Sequence, residues 1–136
     1  MHLFNFVIAL ILILIIDYIW LAKLMNRFYL AELGGLVRTN QRGRFEPVIW
    51  AALIVYLALA LGITALVLPL AQASIWASFG YGAILGFSIY AVYDFTNLSL
   101  VKNWPLKMSL VDVAWGTFLC ATVSALTTFT RGLISV

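Results

Sequence analysis

Three aspartates stand in stretches built otherwise of apolar residues: Asp17 in "IIDYIW" (15–20), Asp94 in "YDFTN" (93–97) and Asp112 in "SLVDVAWG" (109–116). A carboxylate in apolar surroundings is costly unless it is paired, hydrated or protonated. Three of them at close quarters cannot all stay charged without a proton, a cation or water between them. Tyr90, Asp94 and Asn97 share one helical stripe at i, i+4, i+7. Asp17 and Asp112 each precede a tryptophan by three residues, Trp20 and Trp115, which puts acid and indole on one helix face. Asp17, Asp94, Asp112, Tyr90, Asn97, Trp20 and Trp115 are therefore the candidate residues for binding protons or a cationic or amphiphilic substrate, the aromatic faces being suited to a cation.

Each feature also has a plainer reading. "SLVD" (109–112) is a capping-box pattern, with Ser109 as N-cap and Asp112 at the third helical position, near the positive end of the helix dipole. Asp94 is expected near a helix C-terminus, where the dipole disfavours negative charge and where it could instead tie the helix end to loop backbone or headgroups. The tryptophans could form an interfacial belt, although Trp20, Trp50, Trp104 and Trp115 fall at one set of ends and only Trp76 at the other.

Other chemistry lacks its residues. His2 is the one histidine and falls at the opposite end from the aspartates. Zinc and di-iron sites want His, Cys or more carboxylates, and an all-aspartate site suits only a hard ion such as Mg²⁺ or Ca²⁺. No metal or cofactor is expected. A Ser-His-Asp arrangement is not available at the cluster, no nucleotide-binding loop or dinucleotide fingerprint occurs, and the G-x-G-D motif of intramembrane aspartyl proteases is missing.

The elements that must position these acids follow from composition. Of 136 residues, 65% are hydrophobic and 10% charged, with mean hydropathy +1.08; a soluble domain keeps about a quarter charged. Four stretches, 3–22, 47–69, 76–97 and 109–130, approach the roughly 20 apolar residues that cross a bilayer. The expected fold is all-α, a polytopic transmembrane four-helix bundle forming a single domain over 1–136. The first span lacks both the basic start and the small-residue cleavage pattern of a secretory signal, so it is expected to be retained. One cysteine, Cys120, allows no intrachain disulfide.

Lys23, Arg27, Arg38, Arg42 and Arg44 lie on the first connection and Lys102 and Lys107 on the third, whereas "LAQAS" (70–74) is uncharged. The positive-inside rule makes the two basic loops cytoplasmic and both termini periplasmic. The net charge of +3 thus marks orientation, and no nucleic-acid partner is expected. With that topology the three aspartates share a depth, each about 7–12 Å along a helix from a basic flank. Within the first loop, "KLMNRFYLAEL" (23–33) reads as a continuation of the first helix along the headgroup plane, halted by Gly34-Gly35, or else as a plain solvated loop. Arg38, Arg42 and Arg44 are the candidates for contact with lipid headgroups. Pro47 suits the first turn of the second helix. Gly82-x-x-x-Gly86, with Ser78 before it and Gly116, Cys120 and Ala121 on the fourth span, allows close helix approach within the bundle or between protomers.

"YDFTN", "NWPLKMSLVDVAWG" (103–116) and the D-x-x-W ending of the first span together make the chain resemble a family of small four-helix bacterial inner-membrane proteins of unknown function. That resemblance implies four spans and carries no activity, cofactor or catalytic residue. The residues themselves favour a small transporter or ligand-binding protein in which the acids hold protons or a cationic substrate. Two alternatives stand beside it: a lipid-acting membrane enzyme or its subunit, with the basic loop holding headgroup phosphate, and a structural subunit docking a partner helix. Membrane lipids, and a homodimer or another membrane protein, are the expected partners.

Overall fold

The computed structural model describes residues 2–134, with the side chains of 3–133; Met1, Ser135 and Val136 lie outside the described residues. It is all-α, and four of its helical stretches are long and apolar enough to cross a membrane: Leu3–Leu24, Ile49–Ala71, Ile75–Leu100 and Leu106–Leu133. Their outer faces carry large apolar side chains to the surface, among them Ile54, Leu61, Ile84, Phe87, Val92 and Phe129. In water such a surface would drive aggregation; in lipid it is the solvated face. The shared core is small and apolar, formed by Ala9 and Ile13 from the first span, Leu59, Ala60 and Ile63 from the second, and Leu119, Cys120 and Val123 from the fourth.

The first span begins as α1 (His2–Tyr18) and passes into a π turn over Ile19–Leu24. The wider turn, closed by the Met25 amide donating to the Trp20 carbonyl at 2.8 Å, re-aims the side chains that follow Asp17. Met25 (φ −115°, ψ 6°) then breaks the helix, so the amphipathic segment is a separate helix, α2 (Asn26–Leu33), and not a straight continuation of α1. Gly34, at φ 51°, ends α2 in a left-handed conformation open to glycine without strain. A tight hairpin follows, with an isolated bridge between Thr39 and Phe45 and the Asn40 side chain accepting from the amides of Arg42 (2.9 Å) and Arg44 (3.1 Å).

Pro47 does not open the second span. It lies just before the N-cap, Val48, and α3 runs Ile49–Gly62. A π turn (Ile63–Val67) and a last turn, α4 (Leu68–Ala71), complete the span. Ser74 caps α5 (Ile75–Leu100) by accepting from the Ala77 amide at 3.2 Å. This helix runs three residues past the expected end, so Asp94 sits more than a turn inside it, beyond the reach of the terminal dipole.

The fourth span is corrected as well. Asn103, at φ 61°, turns the chain, and α6 (Leu106–Ile134) starts directly after Pro105, whose fixed φ and missing N–H suit a helix start. The Ser109 amide already donates to the Pro105 carbonyl at 3.1 Å. Ser109 is therefore inside the helix and is not its N-cap, and the capping-box role for Asp112 falls away.

Close approach of α5 and α6 depends on the absence of side chains. A Cβ on Gly82 would stand 2.5 Å from the Cys120 carbonyl oxygen and 2.6 Å from Ser124 Oγ; one on Gly86 would run into the Gly116 carbonyl, and one on Gly116 into the Tyr90 ring. The small-residue ridge is thus used inside the bundle, where Ser78 Oγ and Thr128 Oγ1 also share a hydrogen bond of 2.6 Å.

Candidate functional site

The site is assembled from five segments at the end of the bundle where the basic loops emerge. Asp17, buried at the end of α1, accepts from Tyr56 of α3 on one carboxylate oxygen (2.8 Å to Oη) and from Trp115 of α6 on the other (2.9 Å to Nε1). One side chain thereby joins three membrane spans. Each donor satisfies an oxygen that lipid could not.

The two D-x-x-W segments interlock. Trp115, three residues after Asp112, reaches Asp17; Trp20, three residues after Asp17, reaches Asp112 through Tyr29. Trp20 Nε1 donates to the Tyr29 hydroxyl at 3.2 Å, and that hydroxyl donates to Asp112 Oδ1 at 2.6 Å. The two indoles stack with centroids 4.1 Å apart and planes within 3°, and Phe118 leans on Trp115. One face of each indole is taken up by the other, and both indoles also act through their N–H edges.

Tyr29 comes from α2, outside the spans, and is 4% exposed. Burial first, and then the negative charge of Asp112, push its phenol above the ordinary 10.0, so it remains a donor. The rest of α2 is clipped to the start of α6: Glu32 pairs with Lys107 at 3.6 Å, and the Lys107 ammonium stands 5.4 Å above the Phe28 ring.

Asp94 differs from the other two. It lies on the inward stripe of α5 with Ser78, Gly82 and Gly86 and is 0% exposed. Asp112, Ser109 and Trp104 surround its carboxyl group. Neither of its oxygens has a hydrogen-bond partner. The neighbouring polar groups are committed elsewhere: Trp104 Nε1 donates to Ser109 Oγ at 3.0 Å, and Ser109 Oγ donates to the Pro105 carbonyl at 3.2 Å. Two acid side chains therefore face each other, Asp94 fully buried with no hydrogen bond formed and Asp112 partly exposed.

The structure brings Asp94, Asp112 and Asp17 into one neighbourhood with Trp20 and Trp115. Tyr90 lines it from α5 with its ring over Gly116, while Asn97 is half-buried one turn beyond Asp94. Arg38, Arg42 and Arg44 are exposed on the hairpin and, among the described residues, none pairs with an aspartate. The described residues contain no group of three His, Cys, Asp or Glu side chains placed to share a metal ion, so the three carboxylates are linked as a network and do not converge on one point.

Two members were missed in the sequence, Tyr29 and Tyr56. Tyr56 carries the one hydroxyl in the first half of the second span (47–60), and a lone phenol there opposite three acids was a readable signal. Tyr29 offered less, because its reach to Asp112 depends on the π turn and the break at Met25.

No curated protein and no solved structure matches the chain. A family model described as "Predicted membrane protein (DUF2177)" matches residues 2–129, which include the first three spans, most of the fourth and every member of the aspartate network. A multi-pass membrane protein of unknown function, the chain belongs to this family.

Proposed function

We propose that the protein is a small transporter or binding protein of the bacterial inner membrane that takes up a proton, or a small cation, between Asp94 and Asp112 at the cytoplasmic end of the bundle. The observation that carries this reading is the Asp94 carboxyl group, fully buried and facing a second acid, with no hydrogen bond formed on either oxygen and with Ser109 and Trp104 as its neighbouring donors. A carboxylate left so would cost several kcal/mol. One proton held between the two acids supplies the missing hydrogen bond and removes one of two like charges. A small cation would do the same by charge alone, and one face of each indole is already covered by the other. Seven basic residues on the two loops beside the cluster support a cytoplasmic orientation. They also support contact with anionic headgroups at Arg38, Arg42 and Arg44.

Infrared titration of the carboxyl band in nanodiscs, run alongside pH-driven flux in sealed vesicles, tests the proposal. Native protein should show a pH-dependent carboxyl signal and a matching uptake, and Asp94→Asn and Asp112→Asn should each lose both while remaining folded. If Asp94 titrates as a free, hydrated aspartate and uptake is unchanged in Asp94→Asn, the reading fails.

A further inference from the structure

A proton and a metal cation both relieve a pair of buried acids, and they demand different surroundings. A proton adds no volume and needs one line from donor to acceptor. A dehydrated cation needs oxygen lone pairs to replace its water. Ca²⁺ takes about six to eight oxygens, Mg²⁺ a near-ideal octahedron, and K⁺ a shell of carbonyl-type oxygens. The oxygens beside Asp94 are poorly disposed for that. Asp112 Oδ1 accepts from the Tyr29 hydroxyl at 2.6 Å, and the Tyr29 oxygen accepts from Trp20 Nε1 at 3.2 Å. Ser109 Oγ accepts from Trp104 Nε1 at 3.0 Å. Asp17, the third acid, has both oxygens taken, by Tyr56 and Trp115. Each of these donors turns its positive end toward the atom a cation would need. Among the oxygens of the three acids, Asp112 Oδ2 and the two of Asp94 are left without a donor. No third His, Cys, Asp or Glu side chain among the described residues is placed to join them around an ion. Both Asp94 oxygens are closed off from solvent, so water cannot complete a cation's shell there.

We infer that the pair is selective for the proton, held on Asp94 and shared with Asp112 Oδ2, and that it excludes Na⁺, K⁺ and Mg²⁺. This names the substrate of the proposed uptake site and rests on that reading. In the loaded state the Asp94 carboxyl O–H donates to Asp112 Oδ2. The negative charge then lies on Asp112, where the Tyr29 hydroxyl stabilises it. For release, the O–H bond on Asp94 breaks as one to Asp112 Oδ2 forms, and Asp112, partly exposed, passes the proton to water. Both acids are then charged. Asp112 keeps the Tyr29 hydroxyl, and Asp94 has the Trp104 N–H and the Ser109 O–H beside it. Those two donors are directed at Ser109 and at the Pro105 carbonyl in the structure, and they are near enough to turn toward a charged Asp94. The surroundings thus serve a carboxyl group that gains and loses a proton. They offer a cation nothing beyond the two acids.

The test is infrared titration of the native full chain in nanodiscs, in NaCl, KCl or MgCl₂ against N-methylglucamine chloride of equal ionic strength. The pH-dependent carboxyl band is followed, and Asp94→Asn assigns it. Its midpoint should be the same in all four salts. A cation competing for the pair would instead lower the midpoint, by about one pH unit for each tenfold rise in its concentration beyond saturation. In sealed vesicles a pH gradient should drive uptake, whereas Na⁺ or K⁺ tracer at equal pH should enter no faster than in vesicles without protein. A midpoint lowered by Na⁺, K⁺ or Mg²⁺, or Asp94-dependent entry of Na⁺ or K⁺, overturns the proton selectivity and leaves the acid pair as an uptake site. A band and a pH-driven uptake that are both unchanged in Asp94→Asn overturn the uptake site itself, and the selectivity with it. If Asp94→Asn does not fold, the comparison of salts on the native chain still decides the selectivity, since it needs no variant.

Discussion

Asp17 and Asp94 are the same side chain at about the same depth, and their surroundings give them opposite roles. Asp17 has a donor on each oxygen, from Tyr56 and Trp115, and holds three spans together. Asp94 is as deeply buried with no hydrogen bond formed on either oxygen. Their removal should therefore have unequal consequences for stability. Asp17→Ala strands a phenol and an indole N–H in an apolar interior, and hydrogen bonds to a charged group contribute about 1.5–3 kcal/mol each. Allowing for relaxation and water entry, a loss of roughly 2–4 kcal/mol is expected. Asp94→Ala removes at most the one proton-mediated bond to Asp112 and relieves the burial of a second acid, so it should lower the thermal midpoint less than Asp17→Ala does. Thermal unfolding of the two variants in one detergent gives the ranking. Should Asp94→Ala prove the more damaging, Asp94 has a structural partner and its role as the uptake residue loses its physical basis.

At the scale of elements, two contacts decide how the site is held. The first is α2, docked through Tyr29. A phenol whose ionisation is displaced upward stabilises the folded state fully below its unfolded value, about 10, and loses that contribution as pH rises through the folded value. Native protein should thus lose α2 docking only at strongly alkaline pH, seen as increased proteolysis or hydrogen exchange over 26–33. Tyr29→Phe should show that exposure already at neutral pH, with no further alkaline step. A variant that protects α2 as the native chain does would show that Glu32–Lys107 and Phe28 suffice. The second contact is the glycine seam. Gly86→Ala drives a methyl into the Gly116 carbonyl and should destabilise the bundle, whereas Gly80→Ala meets nothing within 4 Å and should gain up to about 1 kcal/mol from helix propensity. Thermal midpoints moving in opposite directions for these two changes are the expected result. The seam was legible from Gly82-x-x-x-Gly86. The start of α6 was not, because Ser109 and Asp112 match a capping box that Pro105 and the left-handed Asn103 pre-empt.

For the whole molecule, composition and loop charge carried far. The spans follow from apolar length, and four crossings put Asp17, Asp94 and Asp112 at one depth before any contact was known. The pairing of residues was not legible, since loops record the order of helices along the chain and not their order around the bundle. That Asp17 would take its donors from Tyr56 and Trp115 depends on α1 lying between α3 and α6. The same loops imply which side the network faces, and function turns on it. A site opening to the cytoplasm takes protons from a different pool than one opening to the periplasm. Single-cysteine labelling in intact cells separates the two. Cys120 is fully buried and provides a silent background. Asn40→Cys, in the basic hairpin, should react with an impermeant maleimide only after permeabilisation. Gln72→Cys, exposed in the uncharged turn, should react from outside. The reverse pattern would place seven basic residues and the acid pair at the periplasmic face. The Asp94–Asp112 pair would then still be a half-satisfied acid site, but protons would enter it from outside the cell.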